Sequence, residues 1–349
     1  MTKNDLDYIV RVLKGYKPVG DPNWWEISGF LQCHKIAGMF YTKAVASGLD
    51  LPSRIECVLR DIKERQKRKV RVMRNAIAEL SEKLNGKNVP HAFLKGSVLC
   101  NVPIIGDYVY EDGERVSNDI DILARPEDLD GISTVLRESG YEQGVYDPNT
   151  GTVKSFTRAE ILRRRMNRGE VAPFVKCTGD SEFPFTEADI NFSLGNTPTD
   201  GAGLLKEMIR TSKMYNGKID MRTLTPEMFF LHLVMHQYKE SALYFATKRG
   251  KDLDLYKLAD IYYLCVSENT NLPHIALIAR AFGIEDRLGA VLRQVGEVFE
   301  DDAILKIAKS CGDVQPYVCD YENKKEYAWQ SGIRDRICAF DATPYLREV

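Results

Sequence analysis

NDIDIL, residues 118–123, is a short run in which acidic and branched apolar side chains alternate. Successive side chains of a β-strand point to opposite faces, so Ile120 and Ile122 share one face while Asp119 and Asp121 share the other. Two carboxylates about 7 Å apart along one strand repel each other, and a divalent cation between them relieves the repulsion. The run therefore predicts a strand with a buried apolar face and a metal-binding acidic face. The alternative interpretation is a solvated strand edge.

A glycine–serine pair lies upstream of this strand. Residues 93–99 read FLKGSVL, which predicts a short apolar strand, then Gly96 and Ser97, then a helix. Glycine lets backbone amides approach phosphate oxygens, serine adds a hydroxyl donor, and a helix N-terminus adds positive potential. The segment is typical of phosphate binding, although Gly-Ser alone is a weak signal.

A second alternating run lies downstream. Residues 187–192 read EADINF, and the strand period places Asp189 opposite the apolar side chains. Asp189 therefore supplies a third carboxylate, and Glu187 on the same face is its rival for that position.

The order Gly-Ser, Asp-x-Asp and later strand Asp resembles the polymerase β-like nucleotidyltransferase superfamily. FLKGSVL, DIDILARPEDLD and an arginine four residues before Asp119 are most similar to the bacterial uncharacterised nucleotidyltransferase family, with the resemblance strongest over residues 90–145. The resemblance implies an α/β (α+β) fold: a nucleotidyltransferase core with a mixed sheet, flanked by N-terminal helices and a C-terminal helical domain. Two positions depart from the pattern: Asn118 stands where Ser or Gly is more usual, and Asn191 where His is expected.

The resemblance also implies a reaction: Mg²⁺-dependent transfer of a nucleoside monophosphate from an NTP donor to an acceptor hydroxyl, with release of pyrophosphate. Two Mg²⁺ ions are expected, and Mn²⁺ is an alternative. For Lys95 and Arg115, simple ion pairing is the alternative to phosphate contact. The implied site consists of Asp119, Asp121 and Asp189 as catalytic metal ligands and of Lys95, Gly96, Ser97 and Arg115 as nucleotide-binding residues.

Hydrophobic spacing divides the chain into three predicted segments. Residues 1–88 carry apolar side chains at helical spacing and form an N-terminal helical segment. Residues 89–200 hold short β-type runs separated by Gly, Pro, Asn and Asp, and form the α/β core. Residues 201–349 return to the helical period and form a C-terminal helical domain, with a tail that has no clear pattern.

Charge limits the partners that the chain can attract. The 349 residues contain 48 Lys and Arg against 50 Asp and Glu, a net charge of −2. Because no whole-protein positive field follows from this balance, RNA binding would depend on local basic clusters. Residues 63–74 and 158–168 are two such clusters, for which solvated helix faces are the alternative. The acceptor, whether a small molecule, a protein hydroxyl or RNA, and the oligomeric state are left open.

Three further features bear on location and on other metal sites. Eight cysteines without a CxxC pair favour reduced thiols, and the first residues lack a secretory pattern, so the prediction is a cytoplasmic protein. No membrane partner is expected, because no apolar run is long enough to span a bilayer. His232 and His236 are spaced i, i+4 but lack the glutamate of HExxH, and packing or lining a cleft is the favoured reading of this pair.

Two other functions stay open beside the enzyme. A catalytically inactive nucleotide sensor or partner-binding protein would keep the fold, as Asn118 and Asn191 suggest. A toxin/antitoxin-type regulator would modify or sequester RNA through the two basic clusters.

Overall fold

The computed structural model describes residues 1–168, 171–196, 199–312 and 316–349. The chain divides into two compact units, each assembled from separate stretches. Unit 1 comprises Met1–Lys67, Gly113–Arg115 and Phe230–Val349, and unit 2 comprises Arg68–Asp112 and Val116–Phe229. The predicted boundaries at 88 and 200 stay predictions.

Helices and strands within the described ranges are numbered in chain order. The helices are α1 Lys3–Leu13, α2 Trp24–Cys33, α3 Ala37–Ala46, α4 Ser53–Gly86, α5 Lys95–Leu99, α6 Leu129–Glu138, α7 Arg158–Arg168, α8 Ala202–Thr211, α9 Pro226–Ser241, α10 Tyr244–Thr247, α11 Leu255–Cys265, α12 Leu272–Ala281, α13 Glu285–Phe299, α14 Asp302–Ser310 and α15 Ile333–Cys338. The strands are β1 Ala92–Phe93, β2 Ile120–Leu123, β3 Glu142–Asp147, β4 Thr152–Ser155, β5 Phe174–Cys177, β6 Phe185–Asn191, β7 Lys213–Tyr215, β8 Met221–Thr223, β9 Val318–Asp320, β10 Lys325–Trp329 and β11 Leu346–Glu348.

Unit 1 is mainly helical. Helix α1 begins with a capping box, in which the Thr2 hydroxyl accepts from the Asp5 amide and the Asp5 carboxylate accepts from the Thr2 amide. Its apolar face, which includes Leu6, Ile9 and Leu13, is buried. The predicted helical opening is confirmed, because α1 to α4 lie within residues 1–88.

Unit 2 contains a mixed eight-stranded sheet in the order β4-β3-β5-β6-β2-β1-β8-β7. Strand β2 lies in its middle, parallel to β6 and antiparallel to β1. Ile120 and Ile122 are fully buried, as are Phe93 and Phe174 of neighbouring strands. The apolar face predicted from NDIDIL is therefore the core face of the central strand, and the predicted α/β (α+β) class with a mixed sheet is confirmed.

The connections around β2 also follow the sequence. Leu94 follows β1 in extended backbone, and α5 begins at Lys95. The predicted strand and helix are present, but Gly96 and Ser97 lie within the first turn of α5 and not in a turn before it. After β2, Pro126 opens a single 3₁₀ turn that continues into α6, where proline is tolerated because a first-turn amide needs no helical partner.

Several strands were not expected from the sequence. The hairpin β3–β4 lies at one edge of the sheet with most of its residues exposed or half-buried, so it lacks a strong apolar alternation. The pair β7–β8 forms the other edge, within residues predicted to be helical. The tail, which had no clear pattern, contains the three-stranded antiparallel sheet β11-β10-β9.

Candidate active site

Asp121 and Asp189 are direct cross-strand neighbours. The parallel register of β2 and β6 pairs Asp121 with Asp189 and Ile122 with Ile190, so both carboxylates leave the same face of the sheet. Asp119 stands immediately before β2. Oxygen atoms of Asp119, Asp121 and Asp189 all lie within 4.8 Å of one another. The structure thus brings together the three carboxylates predicted from separate parts of the chain.

The Asp119 carboxylate is held by a residue that the sequence analysis missed. The Ser117 hydroxyl donates to the Asp119 Oδ1 at 3.1 Å. Next to it, the Lys69 ammonium donates to the Asn118 Oδ1 at 2.5 Å. Asn118 is exposed and is held by a lysine of α4. Lys69 is far away in sequence, and no local pattern signals either contact.

Asp121 is contacted by two side chains through one oxygen. The Lys95 ammonium donates to the Asp121 Oδ1 at 2.7 Å, and the Asn191 Nδ2 donates to the same atom at 3.2 Å. Lys95, predicted to contact phosphate, therefore forms an ion pair with a predicted metal ligand. Asn191 occupies the position where His was expected and acts as a hydrogen-bond donor to that ligand.

Burial and mutual repulsion disfavour ionisation of two of the carboxyls. Burial raises the pKa of Asp121 to about 6, with the Lys95 charge acting against the shift and the Asp119 charge adding to it. Burial and the charges of Asp121 and Asp119 raise the pKa of Asp189 to about 8. Negative charge concentrated in this way is stabilised by a cation.

Glu187 lies two residues before Asp189 on β6. Burial raises the pKa of its carboxyl, and the Asp119 charge adds to the shift. Among the described residues, the group of mutually close acidic ligands contains Asp189 and not Glu187. The geometry therefore favours Asp189 as the third carboxylate.

The glycine–serine pair packs against the segment that carries Asp119. A Cβ atom built on Gly96 would lie 2.9 Å from the Ser117 Cβ, which is closer than real side chains approach. The Ser97 side chain is 1% exposed, and its hydroxyl has no hydrogen-bond partner among the described residues. An unpaired buried hydroxyl is costly unless a ligand or water completes its hydrogen bonding.

Arg115 is buried in unit 1 and bound to another side chain. Its Nε and Nη2 donate to the Asp260 carboxylate at 3.0 to 3.2 Å, and its guanidinium lies 4.3 Å from the Tyr256 ring centroid. The ion-pairing alternative describes this contact, and the phosphate role of Arg115 stays a prediction.

Much of the first basic cluster, residues 63–74, is paired within the protein. Besides Lys69, the cluster makes the contacts Lys67 to Glu64, Arg68 to Glu182 and Arg74 to Asp112. In the second cluster, residues 158–168, the Arg164 guanidinium lies 4.4 Å from the Phe156 ring centroid. The side chains of residues 165–168 lie outside the described part of the structure. Binding of RNA by either cluster stays a prediction.

Among the residues that the structure describes, the remaining sequence signals form no second metal-binding group. His232 is buried, and the His236 Nε2 lies 3.6 Å from the Glu240 Oε2. Across the ranges that the structure covers, the three aspartates form the only group of three or more potential ligands close enough for one ion. The eight cysteines are free thiols. Among the described helices, none combines the length and apolar character that crossing a membrane requires.

The three aspartates fit a divalent metal ion. Oxygens bound to one divalent cation at roughly 2.0–2.6 Å necessarily lie within about 5 Å of each other, as these do. An all-carboxylate set is the chemistry that Mg²⁺ and Mn²⁺ prefer. The Ser97 hydroxyl, which has no partner in the described part of the chain, fits a hydrogen bond to a phosphate oxygen.

Three convergent carboxylates on a mixed sheet, with Gly96 and Ser97 in the short helix that follows the adjacent strand β1, are the arrangement expected of a nucleotidyltransferase, a class of transferase enzymes. The chain belongs to the uncharacterised nucleotidyltransferase family, whose family model matches residues 20–300. Comparison with curated proteins and with solved structures gives no match.

Proposed function

We propose that this enzyme is a Mg²⁺-dependent nucleotidyltransferase that moves a nucleoside monophosphate from an NTP to an acceptor hydroxyl. The α-phosphorus–oxygen bond to pyrophosphate breaks, a bond from the acceptor oxygen to that phosphorus forms, and pyrophosphate leaves. The single observation that carries the proposal is the convergence of the Asp119, Asp121 and Asp189 carboxylates within 4.8 Å.

Asp119, Asp121 and Asp189 would hold the metal, with two ions expected. When bound, the metal lowers the pKa of the acceptor hydroxyl and neutralises charge on the leaving pyrophosphate. Asp189 is also a candidate to accept the hydroxyl proton, because its carboxylate stands opposite Asp121 on the same face of the sheet. Glu187 is the second candidate for that proton.

Ser97, Gly96 and Lys95 are the residues that we propose for the triphosphate. The buried Ser97 hydroxyl would donate to a phosphate oxygen, and the Lys95 ammonium would act as a point charge. Gly96 places the backbone of α5 against Ser117. Arg115 is a further candidate, although its guanidinium is bound to Asp260.

The test is incubation of the full chain with Mg²⁺, each of four α-³²P-labelled NTPs and a panel of acceptors. Asp119→Asn and Asp121→Asn should each lower product formation at least about a hundredfold. Asp130→Asn, an exposed carboxylate of α6, is the matched control and should retain activity. Unchanged activity in the Asp121 variant would refute the proposal, and triphosphate binding without turnover would favour the sensor.

The acceptor and the location are further proposals. If RNA is the acceptor, its affinity should fall steeply with salt through residues 63–74 and 158–168. An uncharged small-molecule acceptor would show no such dependence. We also propose a cytoplasmic enzyme, which the free thiols support because oxidising compartments favour disulfides.

A further inference from the structure

A lysine forms an ion pair with one residue of the site that the proposed function assigns to a metal ion. The Lys95 ammonium lies 2.7 Å from the Asp121 Oδ1, and Asp121 is one of the three carboxylates that would bind the metal. The Lys95 side chain is 19% exposed and that of Asp121 3% exposed, so water screens this contact weakly. A divalent cation bound through the same oxygen would be repelled by the ammonium group.

The protein backbone holds Lys95 beside Asp121. The Leu94 amide donates to the Asp121 carbonyl oxygen at 3.0 Å, which fixes the start of α5 next to the middle of β2. On the other side of Lys95, Gly96 packs against Ser117 without room for a Cβ atom. Leu94 is therefore hydrogen-bonded to β2, and Gly96 is packed against the segment that carries Asp119.

Lys95 itself has a left-handed backbone conformation, with φ of 50°. Side chains other than glycine rarely adopt this conformation, and such strain concentrates at functional sites. The clamped backbone leaves the long, flexible side chain as the part that can move. Rotation of this side chain would carry the ammonium from Asp121 to another anionic partner.

We infer that Lys95 is a built-in counter-cation of the metal site, which competes with a divalent cation for the Asp121 carboxylate. A bound triphosphate offers Lys95 a second anionic partner. Once Lys95 moves to the triphosphate, the Asp121 oxygen becomes available, so metal and triphosphate bind cooperatively. In the absence of triphosphate, the protein binds the metal weakly. This inference rests on the proposed function, because it takes the three aspartates as the metal ligands.

The test measures Mn²⁺ binding to the full chain, with the electron paramagnetic resonance signal of free Mn²⁺ reporting the unbound ion. Lys95→Met removes the charge and keeps a long side chain. Lys95→Gly removes the charge and also adopts the left-handed backbone without steric cost, so it serves if the methionine variant does not fold. Both variants should bind Mn²⁺ at least about tenfold more tightly than the wild type.

Cooperativity is measured by repeating the titration with inorganic tripolyphosphate, corrected for the Mn²⁺ that tripolyphosphate binds without protein. Tripolyphosphate should tighten Mn²⁺ binding in the wild type and have less effect in either Lys95 variant. The matched control is Lys176→Met, because Lys176 forms an ion pair with Glu79 at 2.8 Å in the same unit. This control should bind Mn²⁺ as the wild type does.

The outcomes separate the two proposals. Equal Mn²⁺ affinity in the wild type and in a folded Lys95 variant would overturn the role of Lys95 and leave the proposed function intact. Absence of Mn²⁺ binding in the wild type, both with and without tripolyphosphate, would overturn the proposed function and the inference with it. Loss of binding in Asp121→Asn would confirm that the measured ion occupies the aspartate site.

Discussion

Gly96 shows at the scale of one residue how packing and chemistry are linked. A Cβ atom at this position would lie 2.9 Å from the Ser117 Cβ, and Ser117 in turn donates to Asp119. We expect Gly96→Ala to push Ser117 away, to destabilise the protein by about 1–3 kcal/mol, and to lower transferase activity through misplaced Asp119. Urea unfolding and the labelled-NTP assay measure the two effects.

Gly29→Ala is the matched control for this substitution. Gly29 lies inside α2, and a Cβ atom there would meet nothing within 4 Å. Alanine should therefore leave activity unchanged and stabilise the helix by up to about 1 kcal/mol. If Gly96→Ala were equally harmless, the close packing between residues 96 and 117 would be wrong.

The raised pKa of the Asp189 carboxyl predicts how the free energy of unfolding depends on pH in metal-free buffer. The pKa of its carboxyl is raised to about 8 in the folded state, mainly by burial, from the ordinary value of 3.8. Between these two values the folded protein binds more protons than the unfolded chain, so the free energy of unfolding falls as the pH rises from about 4 to about 8. Asp189→Asn should flatten this dependence.

Chemical unfolding at several pH values in the presence of a chelator measures the effect. The wild type and Asp189→Asn should differ most in slope across this pH window. Parallel pH profiles for the two proteins would show that the Asp189 carboxyl ionises in the folded protein as it does in the unfolded chain.

At the scale of elements, a buried ion pair anchors α11 within unit 1. The Arg115 and Asp260 side chains are 6% and 3% exposed, whereas those of Lys325 and Glu348 in another ion pair are 43% and 54% exposed. Asp260→Ala removes the carboxylate that pairs with this buried guanidinium and should cost about 3–5 kcal/mol. Glu348→Ala should cost at most about 1 kcal/mol.

Thermal and urea unfolding of the two variants give the comparison. Equal losses of stability in Asp260→Ala and Glu348→Ala would mean that Arg115 is solvated in solution. Nucleotide binding by a folded Asp260→Ala variant also tests the predicted phosphate role of Arg115. In that variant the Arg115 guanidinium is released from the Asp260 carboxylate.

The strands show which elements the sequence pattern predicts and which it does not. The alternation in NDIDIL predicted β2, because one face of this strand is buried and the other carries the acids. The hairpin β3–β4 was not predicted, because it lies at the sheet edge, where most of its side chains contact water. A strand with both faces exposed to water does not need alternating apolar and polar side chains.

At the scale of the whole molecule, the eight-stranded sheet includes strands that lie beyond residue 200, the predicted end of the α/β core. Strand β1 pairs with β8, where Phe93 stands opposite Thr223, and the Thr223 hydroxyl donates to the Phe93 carbonyl oxygen. We expect a fragment of residues 89–200 to unfold at lower urea concentration than a fragment of residues 68–229, which keeps this pairing. Circular dichroism during urea titration measures both midpoints, and equal midpoints would contradict the expectation.

The amino-acid sequence by itself determined the local features of this protein: the alternation that buries Ile120 and Ile122, the short strand followed by the helix of the Gly-Ser segment, and the acidic character of β2 and β6. These follow from side-chain periodicity and backbone preference, which act over a few residues. Only the tertiary structure decided that Asp121 stands opposite Asp189, that Lys95 pairs with a metal-ligand candidate, and that Arg115 binds Asp260. Strand register and long-range ion pairs depend on which distant segments pack together, and no local pattern records that choice.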